Sequence, residues 1–426
     1  MAKIKSIHAF EIIDSNGYPT IEAELVLDNG LLVSTSIPSG LSVGKYEAVE
    51  LRDNDPKRFN GLGVLTAVSY INDLLGPKLV GASPEKQADI DGWLIRSDGT
   101  KNKNRLGANT TLAISQLVAK AAAAASGIPL YIYLNQLYEK QYKTKIEIKR
   151  IPIPVFSIIN GGKHSNNNLE FQEFQLIPSS SYSFNKSMQT CLEIFYQLKN
   201  VLEYRGANIS VGNEGGFTPN LMTNADALEV IKETINQRNL RLGLDIFMGV
   251  DVAASYFFKD ERYFIKDKSS PLKIDEYMDF INKLVTNYSI LILEDPLNQD
   301  DWEYWNKLSK TISHEMYLAG DDLLSSNKDR LARAIKEKSC NTIVIKPNQL
   351  GTIIENLEVI DMARRNNFSY IVSQRSAETN DTFLADFSVA VQADFVKFGA
   401  LSRGERVAKY NRLWRIEKEE LKIVDS

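Results

Sequence analysis

Cysteine is scarce in this sequence: only two of the 426 residues are cysteines, Cys191 and Cys340. They lie in separate amphipathic segments, and neither belongs to a Cys-x-x-Cys pair. A disulfide framework is therefore excluded, and the scarcity favours a reducing compartment. We expect a protein of the cytoplasm.

Long apolar runs and an excess of positive charge are also missing. The longest run of small apolar residues, 121–125, is flanked by Lys120 and Ser126, so we expect no membrane span. The first residues alternate in charge, which is not typical of a signal peptide. The formal net charge is −4, which gives no electrostatic case for nucleic acid or an anionic membrane as the partner.

What is present is the composition of a soluble globular protein, with 43% hydrophobic and 24% charged residues. The length permits a large core and two domains. We predict an N-terminal α+β domain over 1–140, which caps a larger domain over 141–426. Its first part reads as a three-stranded antiparallel meander, because turn signals separate three runs of alternating residues: 3–13, 20–27 and 31–37. A helix is predicted over 109–125.

The second part of the chain alternates short β-rich runs with longer helical patterns. Two runs come first, at 153–160 and 173–178, and six more begin apolar and end on a polar residue. Those six runs end at residues 251, 294, 321, 346, 375 and 397. Most steps between these ends match one strand, one helix and two loops, which need about 25–30 residues. We predict an eight-stranded βα barrel, with a doubly wound sheet as the alternative.

Three acids end consecutive runs: Asp251, Glu294 and Asp321. The carboxyl ends of barrel strands form the active-site face, so these acids would converge there. Converging carboxylates repel each other and need a cation, and ligation by oxygen alone favours Mg²⁺. The alternative is three unrelated surface acids.

Three cations end the following runs: Lys346, Arg375 and Lys397. A lysine near a divalent cation has a lowered pKa and becomes a usable base. Arginine offers a planar fork for phosphate or carboxylate. A small phosphorylated acid would suit both sides of this mouth, although the cations also serve simply to neutralise the acids.

Three loops add candidates that a turn or a connector would explain equally well. "INGGKHSNN" places His164 after a glycine pair, and "VGNEGGFTPN" places Glu214 between glycines. "PSGLSVGKYEAVELRD" (38–53) is either an ordinary connector or a flexible lid.

Ordered motifs along the whole chain resemble those of the enolase (phosphopyruvate hydratase) family. They are "EIIDSNGYPTIEAE" (11–24), "PSGLSVG" (38–44), "LGANTTLAIS" (106–115), "INGGKHSNN" (159–167), "QEF" (172–174), "GNEGG" (212–216), "EDP" (294–296), "GDDL" (320–323), "IKPNQLGT" (345–352), "RSAET" (375–379) and "RVAKYNRLWRIE" (406–417). The resemblance implies reversible dehydration of 2-phosphoglycerate to phosphoenolpyruvate, a step of glycolysis and gluconeogenesis.

The resemblance also implies a role for individual residues. Lys346 matches the base that removes the C2 proton, Glu214 matches the acid that helps the C3 hydroxyl leave, and Glu173 assists. Four residues match the ligands of the two Mg²⁺ ions bound with substrate: Asp251, Glu294 and Asp321 for the first ion and Ser42 for the second. Five match substrate contacts, with Arg375 facing the phosphate: His164, Gln172, Arg375, Ser376 and Lys397. Gln374, at a sixth such position, is also expected to bind substrate.

Family members are dimers or octamers, and some also appear at the cell surface. Glu22 and Arg415 match residues that pair across the family's dimer interface, so the resemblance implies at least a homodimer.

The sequence departs from the family pattern around this site. Gln374 stands where the family has histidine, and glutamine can neither carry charge nor move a proton. Leu41 and Val43 replace alanine and threonine, and Asn213 replaces aspartate. These departures leave two alternatives to a working enolase: a paralogue that acts on a related phospho- or phosphonocarboxylate, and a non-catalytic binding protein. Retention of Lys346 and Glu214 argues against a non-catalytic binding role as the sole function.

Overall fold

A computed structural model of the chain describes residues 2–40, 44–266, 268–312 and 315–420. The predicted metal ligand Ser42 and the departures Leu41 and Val43 lie outside the described residues.

The N-terminal part begins with a three-stranded antiparallel sheet, as predicted. Its strands are β1 (Ile4–Ile13), β2 (Pro19–Leu27) and β3 (Leu32–Ser36), in the spatial order β1-β2-β3. Alternate residues of β2, such as Ile21 and Leu25, are fully buried. The other face of the sheet points away from this core.

Helices follow the sheet in the chain. They are α1 (Leu65–Ser69), continued by a π-helical turn into α2 (Gly76–Leu79), then α3 (Gln87–Asp98), α4 (Ala108–Ala125) and α5 (Leu130–Tyr142). Three of them, α1, α2 and α4, pack on the strands of the sheet. The alanine-rich α4 begins one residue before the predicted helix. Its Leu112 and Leu117 lie in the N-terminal core, while Ala119 and Ala122 lie in the core of the second part. Helix α4 therefore joins the two cores.

Eight strands of the second part close into a barrel. The predicted barrel is confirmed, and the doubly wound sheet is excluded. The barrel strands are β4 (Ile153–Asn160), β5 (Glu173–Pro178), β6 (Ile246–Asp251), β10 (Ile290–Glu294), β11 (Tyr317–Gly320), β12 (Thr342–Ile345), β13 (Ser369–Ser373) and β14 (Phe395–Lys397), in the spatial order β10-β11-β12-β13-β14-β4-β5-β6. A small separate sheet consists of β7 (Phe258–Lys259), β8 (Arg262–Tyr263) and β9 (Leu272–Lys273).

Strand β5 runs against both of its neighbours, β4 and β6. The segment that joins β4 to β5 contains only the short 3₁₀ turn Gly162–His164, whereas a parallel connection usually contains a crossover helix. The reversal brings the first residue of β5, Glu173, to the end of the barrel where the other strands finish. There Glu173 lies opposite Asn160 and Asp251 in the sheet register.

Helices surround the barrel, and apolar side chains fill it below the mouth. The helices are α6 (Phe184–Tyr204), α7 (Asn224–Gln237), α8 (Ile274–Tyr288), α9 (Trp302–Thr311), α10 (Lys328–Glu337), α11 (Ile353–Arg365), α12 (Phe383–Ala390) and α13 (Gly404–Arg415). The layer inside the barrel consists of Val155, Ile177, Ile292, Ala319, Val344, Ile371 and Phe395. This apolar layer fills the barrel beneath the carboxyl ends of the strands.

Among the described residues, no single helix is long and apolar enough to cross a membrane, whereas α4 and α5, bent by 106°, meet those criteria only as a pair.

Candidate active site

A cavity of about 560 Å³, part of it open to solvent, lies at the mouth of the barrel. Eleven of the residues singled out from the sequence line it: His164, Gln172, Glu173, Glu214, Asp251, Asp321, Lys346, Gln374, Arg375, Ser376 and Lys397. Glu294 is fully buried just beside it, in contact with Lys397. The barrel thus brings together every candidate that the structure describes.

Lys397, the last residue of β14, reaches across the mouth to three carboxylates. Its Nζ lies 2.7 Å from Glu294 Oε2, 3.2 Å from Asp251 Oδ2 and 3.3 Å from Glu173 Oε2. Burial alone would lower the pKa of Lys397, but these carboxylates raise it well above its ordinary value. The side chain is therefore an ammonium ion that holds three strands together.

One lysine does not neutralise this acidic side. Burial, followed by the neighbouring Asp251 carboxylate, raises the pKa of Glu294 well above its usual range. Burial likewise raises the pKa of Asp251, although Lys397 acts in the opposite direction. A further cation bound on the acidic side of the mouth would therefore be stabilised by these carboxylates.

Carboxylate oxygens at the mouth form two groups able to hold a metal ion. In each group the oxygens lie within 4.8 Å of one another: Asp251, Glu294 and Asp295 in one, and Asp295, Asp321 and Asp322 in the other. Oδ1 of Asp321 is buried and has no hydrogen-bond partner among the residues that the structure describes. An all-oxygen set with one unused buried oxygen fits a hard divalent cation.

Asp295 belongs to both groups, and the sequence analysis missed it. Its carboxylate accepts hydrogen bonds from the backbone N–H groups of Asp321 (3.1 Å) and Asp322 (2.7 Å). Its own backbone is left-handed, with φ of 41°. Asp295 therefore fixes the turn that carries Asp321, and its only sequence signal is its position directly after Glu294.

Lys346 follows strand β12 and donates a hydrogen bond to Oδ2 of Asp321. Burial alone would lower the pKa of Lys346, but the Asp321 carboxylate outweighs it and raises the pKa above its ordinary value. The expected lowering is therefore not produced by the protein groups. A lowered pKa of Lys346 requires a cation that binds the Asp321 carboxylate in place of the lysine.

His164 lies between two acids on the opposite side. Its Nδ1 is 3.5 Å from Glu173 Oε1, and its Nε2 is 3.9 Å from Glu214 Oε1, both long for hydrogen bonds. Burial opposes a charge on His164, but the two carboxylates raise its pKa above the ordinary value. Against burial, Lys397 and His164 hold the pKa of Glu173 well below its usual range, so Glu173 is ionised.

Glu214 is carried by a glycine-rich loop between α6 and α7. Gly215 has φ of 85°, and a Cβ there would lie 2.7 Å from the carbonyl oxygen of Ser402, so only glycine fits. Gln374 donates a hydrogen bond from Nε2 to Oε2 of Glu214. The residue that replaces the family histidine therefore contacts the predicted acid directly.

Arg406 is a second residue that the sequence analysis missed. It is fully buried in α13 and donates to the carbonyl groups of Arg375 (2.7 Å), Ser376 (2.7 Å) and Asn213 (2.9 Å). Its Nη1 also lies 3.7 Å from Oε2 of Glu214. Arg406 thus connects the loop of the predicted acid to the loop of the predicted anion contacts.

Arg375 forms an ion pair with a residue from the N-terminal part, Glu47. Nη1 of Arg375 lies 2.6 Å from Oε2 of Glu47, and the two side chains are only 5% and 7% exposed. A Cβ on Gly40 would collide with the guanidinium, so the backbone approaches it closely there. Glu47 was also missed, and its only sequence signal is its place within the segment 38–53 that was read as a connector or a lid.

The predicted substrate contacts Gln172 and Ser376 complete the cavity. Gln172 donates to Oδ2 of Asp251 (3.3 Å), and its buried Oε1 has no partner within the described part of the chain. The carbonyl of Ser376 accepts a hydrogen bond from Asn16 of the N-terminal turn (3.1 Å).

Comparisons with known proteins cover nearly the whole chain. The family model described as "Enolase, N-terminal domain" matches residues 4–134, and the model described as "Enolase, C-terminal TIM barrel domain" matches residues 148–424. A curated protein of Ehrlichia canis (strain Jake), named "Enolase", is 42% identical over 416 residues, which cover 98% of this chain and 96% of that protein.

Proposed function

The chain belongs to the enolase family and is a carbon–oxygen hydro-lyase, phosphopyruvate hydratase, and from this premise we propose a role for each side chain of its cavity. The reaction converts 2-phosphoglycerate to phosphoenolpyruvate and water, a step of glycolysis. One observation carries the assignment of roles: a candidate base, a candidate acid, an acidic cluster and an arginine line a single cavity.

We also propose that the boundary between the two domains lies between residues 140 and 141.

Mg²⁺ is the cofactor, held by Asp251, Glu294 and Asp321, with a second ion per site when substrate is bound. Ser42, which lies outside the described residues, is proposed for that second ion. The unused Oδ1 of Asp321 supports this assignment. When bound, the metal offsets the negative charge that develops on the substrate carboxylate as C2 loses its proton.

Lys346 removes the C2 proton. Its Nζ is held at the mouth by Asp321, and it acts as a base only in its neutral form. The Asp321 carboxylate raises the pKa of Lys346. Binding of that carboxylate to a metal ion would therefore favour the neutral amine.

Glu214 donates a proton to the C3 hydroxyl, which leaves as water. His164 and Gln374 orient its two oxygens, and the ionised Glu173 supports the charge on His164 rather than donating a proton. The C2–H and C3–O bonds break on groups held by different loops, so substrate must lie between Lys346 and Glu214.

Arg375 binds the phosphate group, because its guanidinium is the charged fork in the cavity best suited to that anion. Five further residues of the cavity contact the substrate: His164, Gln172, Gln374, Ser376 and Lys397. Lys397 additionally orders the acidic side, as its three short contacts support.

The working assembly is at least a homodimer in the cytoplasm. Glu22 lies directly opposite Phe10 in the sheet register, on a strand pair whose outer residues include exposed apolar side chains. Both cysteines are unpaired and buried, which supports a reducing compartment.

The test follows phosphoenolpyruvate formation and, separately, exchange of the C2 proton of 2-phosphoglycerate in deuterated water. Lys346→Ala is expected to abolish both reactions, because no base remains. Glu214→Gln is expected to abolish dehydration and retain exchange, because the base still acts. Both reactions are expected to need Mg²⁺.

Lys310→Ala, on the outside of the barrel, serves as the control and should match the wild-type protein. Exchange in Lys346→Ala at the wild-type rate, or dehydration by Glu214→Gln, would contradict the proposed roles.

A further inference from the structure

Glu47 reaches the mouth of the barrel from the N-terminal part, and its two neighbours in the chain are fastened to the barrel. On one side, the hydroxyl of Tyr46 donates to Oδ1 of Asp300 (2.5 Å). On the other side, the backbone N–H of Ala48 donates to the carbonyl of Gln349 (2.9 Å). The carboxylate of Glu47 is therefore held in place by contacts that do not involve Arg375.

The carboxylate itself uses both of its oxygens. Oε2 accepts from Nη1 of Arg375, and Oε1 accepts from the backbone N–H of Gly44 (2.7 Å). Among the residues that the structure describes, Glu47 is the one carboxylate within ion-pair distance of Arg375. Since both side chains are shielded from water, each charge depends on the other for neutralisation.

We propose that Glu47 is an internal counter-ion that competes with the phosphate group of the substrate for Arg375 and thereby sets the affinity of the anion site. The inference rests on the proposed role of Arg375. An arriving phosphate meets a guanidinium whose charge is already matched, beside a carboxylate that repels it. Glu47 thus stabilises the ligand-free site and weakens binding of substrate and product alike, which favours product release.

A buried cation left without its partner is unfavourable, and a bound anion removes that penalty. Removal of the Glu47 charge should therefore act on the ligand-free protein more than on the anion complex. A residue that merely aimed the guanidinium would behave in the opposite way, because its loss would weaken anion binding.

The experiment measures binding of inorganic phosphate by calorimetry and by the thermal midpoint, at one fixed Mg²⁺ concentration. Glu47→Gln, which keeps the shape of the side chain, is expected to bind phosphate about tenfold more tightly than the wild-type protein. Without phosphate its thermal midpoint should lie below that of the wild type, and phosphate should raise it by more. KM for 2-phosphoglycerate should fall by a similar factor.

Asp55→Asn is the control, because Asp55 is an exposed acid farther along the same N-terminal segment, and its side chain accepts from the backbone N–H of Lys57 (2.9 Å) rather than from Arg375. It should leave phosphate affinity at the wild-type value. Glu47→Asp draws the carboxylate back by one methylene group and should give a smaller tightening, which tests the same point if Glu47→Gln folds poorly.

Unchanged or weaker phosphate binding by Glu47→Gln, or weaker binding by Glu47→Asp, would overturn the inference. Arg375→Gln separates this failure from that of the proposed function. If phosphate binding to the wild-type protein does not depend on Arg375, the assignment of Arg375 is wrong and the role of Glu47 falls with it.

Discussion

At the scale of the residue, the side chain that donates a hydrogen bond to Glu214 is an uncharged amide, that of Gln374. The family has a histidine and an aspartate where this chain has Gln374 and Asn213. The charged groups that approach the Glu214 carboxylate are His164 at 3.9 Å and Arg406 at 3.7 Å. The orientation of Glu214 therefore depends on the amide of Gln374, which keeps the same charge at every pH.

The amide of Gln374 can be tested by removing its donor. Gln374→Leu is expected to lower kcat by about 10- to 100-fold with a smaller change in KM, because the loss of its hydrogen bond to Glu214 outweighs the loss of its contact with the substrate. Gln374→His restores an N–H donor and should recover most of the activity. The new imidazole should also add an ionisation at about pH 6.5 to the pH–rate profile, measured from pH 5 to 9.

Gln189→Leu, which removes an exposed amide on α6, is the control for the substitution itself. Equal kcat for Gln374→Leu and the wild-type protein would show that the hydrogen bond to Glu214 has no role in the reaction.

Single residues were predictable where the strand-end pattern itself carries the chemistry. Lys346 and Arg375 end or directly follow strands, and the barrel makes such positions converge. Glu47 and Arg406 were not predictable in this way. Glu47 meets its partner across 328 positions of the chain, and Arg406 acts through backbone carbonyl groups that every sequence provides.

At the scale of the element, the repeat of strands and helices predicted the number of barrel strands but not the direction of β5. Strand β5 is reversed because the segment from β4 to β5 holds no crossover helix, and the spacing of the strand-like runs does not reveal the direction of a strand. Placing Glu173 at the mouth depends on that reversal, since in a parallel strand the same residue would lie at the far end of the barrel.

The contact between α3 and α11 contains a buried acid that should make stability depend on pH. Asp91 accepts hydrogen bonds from Gln87 (2.9 Å) and from the backbone N–H of Ile354 (3.0 Å). Burial raises the pKa of Asp91 to about 7. Between its unfolded pKa, about 4, and 7, the folded state binds more protons than the unfolded state, so the free energy of unfolding falls as pH rises.

Asp91→Asn should remove that pH dependence, because an amide does not ionise. Relative to the wild-type protein, the variant is expected to gain about 4 kcal/mol of stability between pH 4 and pH 8. Thermal midpoints at several pH values measure the difference, and Asp89→Asn, exposed on the same helix, is the control. A constant difference between Asp91→Asn and the wild type across this range would show that Asp91 stays ionised when folded.

At the scale of the whole molecule, an exposed apolar region on the N-terminal sheet is the expected dimer surface. Phe10 and Ile13 of β1 are 49% and 69% exposed, and Glu22 lies opposite Phe10. Phe10→Ser is expected to shift the protein toward monomer, because a buried aromatic anchor is lost at the interface. Sedimentation velocity over a range of concentrations measures this shift.

Tyr204→Ser provides the comparison, since Tyr204 is 94% exposed on α6, away from the N-terminal sheet. A mass unaffected by Phe10→Ser would place the interface elsewhere on the surface.

Closure of the barrel also determines when the site comes into being. Strand β14 pairs with β13 on one side and with β4 on the other, and it is the last barrel strand to leave the ribosome. Its Lys397 carries the only ammonium shared by Glu173, Asp251 and Glu294 within the described part of the chain. A nascent chain that stops short of this strand has three carboxylates with nothing to hold them together and a barrel open along one edge. The acidic half of the mouth is therefore a late product of synthesis, completed only when the two ends of the barrel meet.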